Sequence, residues 1–428
     1  SGTAVMEIGP ALQEAFYSGT PLVAITADHP KEARGLGLPQ SIVQPGVFSN
    51  TTEKTWDLGF GEALDGLPTW SKRKPIHINI CLEEPLAYTS TRKSIVLNTK
   101  STLKLVHSGA AFMEPLNRFL NTHRFPLIIV GGINNGAEEV GEFLSKVKIP
   151  YYVESVSQLR GTVDTPYRLS SEHVLSWGYK KNLFDGIIRI GNVPAARMWL
   201  VDMQNPRAAQ ADVLSLSELP FSGVVNGKVV QGDLTQLVEF EGCKVMYASE
   251  DLFKKEKLAR EIFFSLCMQF PSSELALVRK LSHLIPAQSF LYLGNSQPIR
   301  EWDMATNKCF HRVSANRGVN GIDGQLSSFY GEAVNSRPNW AVFGDLTTLC
   351  DLTAPWALNK REENLQTNVV VINNSGGRIF SRVTNNPHFI NAHQLGFSHW
   401  AKMWNLHYER WQKVPVTWSC PHRHSVIE

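Results

Sequence analysis

The sequence lacks paired cysteines, long apolar runs and a strong excess of either charge. Its six cysteines are scattered over 428 residues without a Cys-x-x-Cys pair. This favours reduced thiols and a cytoplasmic protein over a disulfide-stabilised secreted one. No apolar run reaches the roughly 18 residues that a transmembrane helix needs, so no integral membrane segment is predicted.

The charges are nearly balanced, with a formal net charge of +3. The densest basic cluster, Lys72-Arg73-Lys74, is too short to indicate a nucleic-acid surface, and a solvated loop is its better interpretation. No short-period repeat or low-complexity segment occurs, which argues against a solenoid or a disordered chain. The composition, 43% hydrophobic and 19% charged, is that of a globular protein, and the length predicts two or three domains.

Short apolar runs alternate with helical patterns, which predicts an α/β fold of three doubly wound parallel-sheet units, the first incomplete. The boundaries are residues 1–88, a linker at 89–108, a central unit at 109–271 and a final unit at 272–428. Strands are predicted at 21–27, 75–81, 126–130, 151–153, 186–190, 199–201, 290–293, 341–343 and 369–372. Helices are predicted at 4–17, 251–270 and 352–360, the last with Thr353 as its cap.

Polar residues follow two of the apolar runs at the point where each run ends. Asp345 comes directly after the run that ends at Gly344, and Asn374 follows the run 369–372. The carboxyl ends of parallel strands form the ligand-binding edge of an open α/β sheet. Asp345 offers carboxylate oxygens and Asn374 an amide oxygen, which are ligands that Mg²⁺ prefers.

The residues around this pair suit a phosphate group. Gly376 and Gly377 let the backbone approach a ligand closely. Leu346 and Thr347 offer N–H groups and a hydroxyl with which a diphosphate could be held. The simpler alternative is an ordinary strand–helix–strand unit that has turn residues at its strand ends.

This pattern resembles the diphosphate-binding motif of thiamine-diphosphate (ThDP) enzymes, in which Gly-Asp is followed at a distance by Asn-Asn. The resemblance implies Mg²⁺, or Mn²⁺, bound by the Asp345 and Asn374 side chains and the Gly376 carbonyl. It also implies that Ile322 lies under the cofactor and that apolar residues wall the site. The implied cofactor-binding residues are Ile322, Gly344, Leu346, Thr347, Gly377, Ile379 and Phe380.

Further blocks are similar to one family of ThDP enzymes. The blocks are Gly294-Asn-Ser-Gln-Pro-Ile-Arg300, Ala315-Asn-Arg-Gly-Val-Asn-Gly-Ile-Asp-Gly324, Ser1-Gly-Thr-Ala-Val5, Thr26-Ala-Asp28 and Gln40-Ser-Ile-Val-Gln-Pro-Gly46. They resemble the 2-succinyl-5-enolpyruvyl-6-hydroxy-3-cyclohexene-1-carboxylate (SEPHCHC) synthases of menaquinone biosynthesis. The resemblance implies a transferase, a homodimer or homotetramer, that decarboxylates 2-oxoglutarate and adds the succinyl carbanion to isochorismate.

Both implied substrates are dianions, so the site needs fixed cations, and Arg offers a bidentate fork that matches a carboxylate. The family's Arg before Pro is replaced here by His29, whose imidazole carries only part of a charge near neutral pH. For each Arg, a surface ion pair is the simpler alternative. By motif, the implied substrate-binding residues are Arg197, Ser296, Arg300, Arg317, Gln40 and His29.

In the family, a glutamate upstream of the Ser-Gly-Thr-Ala motif activates the cofactor. Its counterpart would precede Ser1, so the catalytic residue is unknown, and the chain is predicted to be a fragment lacking the N-terminal part and with a short C-terminus. A non-catalytic ThDP-binding fragment or scaffold is one alternative. Another ThDP enzyme of the acetolactate-synthase type is the second. The carboxylate-binding residues argue against the second, because pyruvate has no second carboxylate.

Overall fold

The computed structural model describes residues 1–59, 61–83, 112–203, 211–225, 227–242, 249–361, 364–382, 384 and 386–428. The chain divides into two compact units, Ser1–His107 and Ser108–Glu428. The described strands form three sheets in which every pair is parallel. This confirms the α/β class with parallel, doubly wound sheets. The predicted linker at 89–108 lies outside the described residues.

The first unit has a three-stranded sheet. Its strands are β1 (Val23–Asp28), β2 (Thr55–Leu58) and β3 (Ile76–Cys81), in the order β1-β3-β2. Its helices are α1 (Thr3–Met6) and α2 (Gly9–Ser18), with 3₁₀ turns at Lys31–Ala33 and Leu67–Thr69. The single helix predicted at 4–17 is therefore wrong in one respect, since it is divided in two. Pro10 lies in the first turn of α2, where its missing N–H costs no hydrogen bond.

The second unit begins with a six-stranded sheet in the order β6-β5-β4-β7-β8-β9. Its strands are β4 (Pro126–Val130), β5 (Tyr151–Val153), β6 (Arg168–Leu169), β7 (Gly186–Ile190), β8 (Asp212–Ser217) and β9 (Lys228–Gln231). The helices are α3 (Met113–Thr122), α4 (Ala137–Lys146) and α5 (Glu172–Lys180), with 3₁₀ turns at Ser155–Ser157 and Leu234–Glu239. Residues on β4 alternate between two cores, Ile128 and Val130 in one, Leu127 and Ile129 in the other. Burial on both faces explains why this strand is a continuous apolar run.

The strand predicted at 199–201 is wrong, because Trp199–Met203 forms a π-helix. The Trp199 side chain is fully buried and its indole N–H donates to the carbonyl of Gly223 at 3.1 Å. A run of three apolar residues fits a buried helix as well as a buried strand, and here periodicity could not separate the two. The neighbouring sheet position belongs instead to β8.

The second six-stranded sheet has the order β11-β10-β12-β13-β15-β14. Its strands are β10 (Phe290–Leu293), β11 (Arg312–Ser314), β12 (Asn339–Gly344), β13 (Thr367–Ile372), β14 (His407–Glu409) and β15 (His424–Ile427). The helices from here and the preceding segment are α6 (Glu250–Gln269), α7 (Glu274–Leu284), α8 (Gln297–Ala305), α9 (Gln325–Glu332), α10 (Asp345–Leu349), α11 (Pro387–Ile390) and α12 (Ser398–Met403), with 3₁₀ segments at Ala354–Lys360 and Arg378–Arg382. The predicted boundary between 271 and 272 falls inside the second unit and stays a prediction.

The helix predicted at 352–360 differs from the observed one in helix type and in its first residue. The segment Ala354–Lys360 is a 3₁₀ helix, and the Thr353 side chain makes no capping hydrogen bond. The short helix α10, which the sequence patterns missed, begins directly at Asp345. None of the helices in the described part of the chain combines the length and apolar character that crossing a bilayer requires.

Candidate active site

A cavity of about 310 Å³ lies at the carboxyl edge of the second six-stranded sheet. The chain leaves β10 toward β11 on one side and continues through β12 and β13 on the other, so the strand order reverses beside β10. Ligands of open α/β sheets bind at such a reversal. The predicted residues that line this cavity are Ser296, Arg300, Arg317, Ile322, Gly344, Asp345, Leu346, Thr347, Asn374, Gly376, Gly377, Ile379 and Phe380. The patterns thus selected residues that the fold brings together.

Asp345 is a buried oxygen donor of the cavity, oriented by two hydrogen bonds. It is 2% exposed, and its two carboxylate oxygens accept the N–H groups of Leu346 at 2.7 Å and Gly376 at 2.8 Å. The Nε2 atom of His393 lies 3.3 Å from Oδ2 of Asp345 without the geometry of a hydrogen bond. A carboxylate has about four lone-pair sites. Two backbone N–H groups fix its orientation and leave capacity for a metal ion.

The loop after β13 supplies the remaining donors. Asn374 lines the cavity, and Gly376 follows with a φ of +128°. The Gly376 carbonyl accepts the N–H of Arg378 at 2.8 Å, and Gly377 donates its N–H to the carbonyl of Ile390. A carboxylate, an amide and a main-chain carbonyl are hard oxygen donors of the kind that Mg²⁺ binds together with phosphate oxygens and water. The residues present therefore fit the implied Mg²⁺ and diphosphate.

Gly376→Ala is expected to weaken metal-dependent cofactor binding and to lower the melting temperature. A Cβ at position 376 would lie 2.6 Å from the carbonyl oxygen of Ile390, and the positive φ is one that alanine rarely adopts. The loop that holds Asn374 must shift in response. Calorimetric titration with Mg²⁺ and ThDP and a thermal melt would measure both effects. Gly331→Ala is the matched control, because a Cβ there meets no atom within 4 Å; equal behaviour of the two variants would contradict the argument.

Arg300 lies one helical turn into α8 and is held by two main-chain carbonyls. Its Nε donates to the carbonyl of Ala195 at 2.9 Å, and Nη1 donates to the carbonyl of Ser296 at 2.6 Å. Ser296 itself precedes α8 with a φ of +73°, a strained conformation for a residue other than glycine. The two residues expected to grip one carboxylate are therefore in contact, although through the Ser296 carbonyl and not its hydroxyl. Burial lowers the pKa of Arg300, against the opposing pull of Glu172 and Glu154.

Arg317 and Ile322 come from the segment after β11. The Nη1 atom of Arg317 donates to Oδ1 of Asn295 at 2.8 Å. Asn295, which is 1% exposed, also donates to the carbonyls of Asn316 at 2.7 Å and Gly321 at 2.8 Å. One buried amide thus ties the end of β10 to both ends of the segment that carries Arg317.

Arg197 is not among the residues that line the cavity in the described part of the chain. It lies nearby, since its positive charge contributes to lowering the pKa of Arg300. Two carboxyl groups hold its neighbours. Oε1 of Glu154 accepts the N–H of Ala196 at 2.8 Å, and Oε1 of Glu172 accepts the N–H of Met198 at 2.7 Å. The segment that carries Arg197 is therefore fixed on both sides.

Glu154 is a fully buried acid that the sequence patterns missed. Burial, together with the nearby Asp303 carboxyl, raises its pKa to about 8, against the opposing effect of Arg317. Its Oε2 has no hydrogen-bond partner within the described residues. No local sequence signal distinguishes this glutamate from an exposed one. It is buried because segments that flank the two six-stranded sheets meet around it.

Glu154→Gln is expected to flatten the pH dependence of thermal stability. Because the folded pKa of about 8 exceeds the ordinary value of 4.5, the native chain holds more protons than the unfolded chain between these values. Stability therefore falls as the pH rises through this interval, and the loss is complete above the folded pKa. Glutamine cannot ionise but keeps a carbonyl for the Ala196 N–H. Melting curves from about pH 5 to pH 9 would measure the difference.

The matched control is Glu261→Gln, which removes an exposed carboxylate from α6. This variant should follow the pH profile of the unchanged chain. If Glu154→Gln also follows that profile, Glu154 does not take up a proton on folding.

The first unit contains His29 and Gln40. His29 follows β1, its N–H donates to Oδ1 of Asp28 at 2.8 Å, and its Nε2 is buried without a hydrogen-bond partner among the described residues. Gln40 is exposed with a φ of +58°. Gln44, four residues later, is instead fully buried and donates to Oδ1 of Asn79 at 2.7 Å.

No protein-family model matches the chain. Several curated relatives do, and they share one name, 2-succinyl-5-enolpyruvyl-6-hydroxy-3-cyclohexene-1-carboxylate synthase. The relative from Bdellovibrio bacteriovorus is 38% identical over 97% of this chain and 79% of its own length. The chain belongs to the SEPHCHC synthase family. Relatives from Akkermansia muciniphila, 30% identical over 95% of this chain and 78% of their own, and Geobacillus thermodenitrificans, 29% identical over 100% and 79%, agree.

Membership of the SEPHCHC synthase family decides between the two kinds of ThDP enzyme that the motifs suggested. It favours the SEPHCHC synthases over the acetolactate-synthase type, in agreement with two arginines, Arg300 and Arg317, at one cavity. The family assignment rests on the whole chain. The roles of individual residues rest on the cavity and its contacts.

Proposed function

We propose that the chain is a ThDP-dependent carboligase of menaquinone biosynthesis that decarboxylates 2-oxoglutarate and joins the remaining succinyl unit to isochorismate, giving SEPHCHC and CO₂. One observation carries the proposal beyond the family name. The cavity combines hard oxygen donors, Asp345 and Asn374, with two guanidinium groups, Arg300 and Arg317. A metal–diphosphate group and a doubly charged acid are the ligands that such a combination suits.

The metal would be held by the Asp345 carboxylate, the Asn374 amide oxygen and the Gly376 carbonyl, and Mg²⁺ or Mn²⁺ fits these donors. Gly344, Leu346, Thr347 and Gly377 line the same cavity and would lie along the diphosphate. Bound ThDP supplies an electron sink for the loss of CO₂ from 2-oxoglutarate. The protein's part is to hold that group and the substrates in register.

The arginines would bind the substrate carboxylates. Nε and Nη1 of Arg300 are tied to main-chain carbonyls, so its guanidinium is fixed in direction before a substrate arrives. Arg317 is fixed in the same way through Asn295. Preorganised cations stabilise a dianion without reorganising during the reaction. Arg197 and Ser296 would complete this set of substrate-binding residues. His29 and Gln40 would bind isochorismate.

Apolar residues would keep water from the reacting atoms. Ile322, Ile379 and Phe380 line the same cavity as the polar donors. The Phe380 ring lies 6.4 Å from that of Phe389, measured between ring centroids. Exclusion of water prevents a carbanion from being quenched by a proton before it reaches the second substrate. A cytoplasmic location and a homodimeric or homotetrameric assembly stay predictions.

The decisive experiment is a product assay with Mg²⁺, ThDP, 2-oxoglutarate and isochorismate, run with the chain alone and with the glutamate-bearing segment that the family places before the Ser-Gly-Thr-Ala motif. We expect loss of isochorismate together with release of CO₂, and a product with the mass of SEPHCHC. Omission of isochorismate and replacement of 2-oxoglutarate by pyruvate are the controls. Product from pyruvate would favour the acetolactate-synthase type. Cofactor binding without any product would favour the non-catalytic ThDP-binding protein.

A further inference from the structure

Asn374 is the member of the metal-binding pair whose side chain needs an external support. Asp345 is oriented by two main-chain N–H groups, as described above. The amide of Asn374 instead makes its side-chain hydrogen bonds, among the described residues, with one carboxylate. Its Nδ2 lies 3.3 Å from Oε1 and 3.2 Å from Oε2 of Glu274.

We propose that Glu274 is a positioning residue that turns the amide oxygen of Asn374 toward the metal ion. The inference rests on the proposed function, because it takes Asn374 as a metal ligand. No sequence motif pointed to Glu274, which lies a hundred positions before Asn374 along the chain. Outer groups that orient metal ligands commonly affect affinity by about 10- to 100-fold.

The chemistry of the contact fixes the direction of the amide. An ionised carboxylate only accepts hydrogen bonds, whereas an amide donates from nitrogen and accepts at oxygen. With both Glu274 oxygens facing Nδ2, a flipped amide would bring Oδ1 against two negatively charged oxygens. The contact therefore holds Nδ2 toward Glu274 and directs Oδ1 away from it. Glu274, Asn374 and Asp345 all line the same cavity.

The fold holds Glu274 rigidly enough for this role. It is the first residue of α7, and the preceding Ser273 caps this helix by accepting the N–H of Ala276. Val278 and Leu281, one and two turns further along the same side of α7, are buried in a core of the second six-stranded sheet. Because the backbone at the start of a packed helix is held in place, the Glu274 carboxylate can restrict the orientation of the Asn374 amide.

Two variants test the inference by the affinity for Mn²⁺ in the presence of ThDP, measured by electron paramagnetic resonance. Glu274→Ala removes the acceptor and should weaken Mn²⁺ binding by about 10- to 100-fold. Glu274→Gln keeps a carbonyl oxygen that can accept from Nδ2 but also brings an NH₂ group that can donate to Oδ1, so its affinity for Mn²⁺ should lie between those of the unchanged chain and Glu274→Ala. A weaker affinity in Glu274→Gln than in Glu274→Ala would overturn the inference, because an acceptor for Nδ2 would then not favour metal binding.

Glu250→Ala is the matched control. Glu250 is likewise the first residue of a helix after a serine, but it is exposed and contacts only Lys254 among the described residues. Its removal should leave the affinity for Mn²⁺ unchanged. A loss of affinity equal to that of Glu274→Ala would show that both glutamates act by stabilising their helices, which would overturn the inference. Unchanged affinity in Glu274→Ala would overturn the inference while leaving the metal site in place.

Asp345→Ala distinguishes the two proposals: if it leaves Mn²⁺ affinity unchanged, the metal site itself is wrong, and the role of Glu274 is wrong with it.

Discussion

Replacing Asp345 with alanine is expected to abolish Mg²⁺-dependent binding of ThDP. Asp345 brings the negatively charged oxygens that the proposed ion needs, and its carboxylate also anchors the N–H of Gly376 at 2.8 Å. The variant therefore loses a ligand and loosens the loop that presents two others. A loss of more than roughly 100-fold is expected, because removal of outer-shell support alone costs up to about that factor. Calorimetric titration of the chain with ThDP, with and without Mg²⁺, would measure it.

Asp351→Ala is the control for this prediction. Asp351 is also a poorly exposed aspartate close by in sequence, and its carboxylate accepts the N–H and hydroxyl of Ser327 at 2.8 and 3.0 Å. Its loss should lower the melting temperature and leave cofactor affinity intact. If Asp345→Ala and Asn374→Ala both keep normal affinity, the metal assignment is refuted.

Replacing Arg300 or Arg317 with lysine is expected to lower turnover of 2-oxoglutarate by roughly 100-fold, the cost of a misplaced reacting group. Lysine keeps the charge but has one ammonium group in place of a planar fork. In Arg300, Nε and Nη1 donate to the carbonyls of Ala195 and Ser296, and Nη2 makes no hydrogen bond with the described residues, so it is the nitrogen expected to meet a carboxylate. A lysine cannot satisfy both carbonyls and a substrate. Steady-state kinetics on each variant would give the change.

The matched control is Arg312→Lys, at an arginine that pairs with Glu332 at 2.7 Å and does not line the active-site cavity. Its kinetics should be normal. For Arg300 and Arg317 the melting temperature should change little. A large fall in melting temperature with unchanged kinetics would make these two arginines structural, as the simpler interpretation of the sequence held.

Most of the predicted strands that were confirmed are buried on both faces, and β1, where burial alternates, is the exception. The runs 126–130, 186–190 and 369–372 are continuous apolar segments between turn residues, and such segments leave few alternatives. Several of the strands that were missed are short or polar. β6 has two residues, and β14, His407–Glu409, carries no aliphatic residue. Their pairing depends on a neighbouring strand far away in sequence, which no local pattern contains.

The residues of the candidate site likewise fall into those that the sequence could predict and those that it could not. Residues at strand ends, such as Asp345 and Asn374, could be predicted to share a cavity because parallel strands end at one edge. Glu274 and His393 could not, since each contacts the proposed metal-binding pair from a different segment and belongs to no motif. Glu154 could not be recognised either, because burial, which alters its acidity, is a property of the packed structure.

The parallel topology has a consequence for how the chain folds. None of the described strand pairs can form as a hairpin, because all of them are parallel. Thr367 of β13, for example, pairs with His424 of β15 and so closes a long chain loop that contains α11, α12 and β14. Each such loop must close before the contact that stabilises it exists, so the entropic cost precedes the gain. Contact order of this kind slows folding and leaves strand edges exposed in partly folded chains. Recovery of the chain from denaturant should accordingly be slow and should improve with dilution.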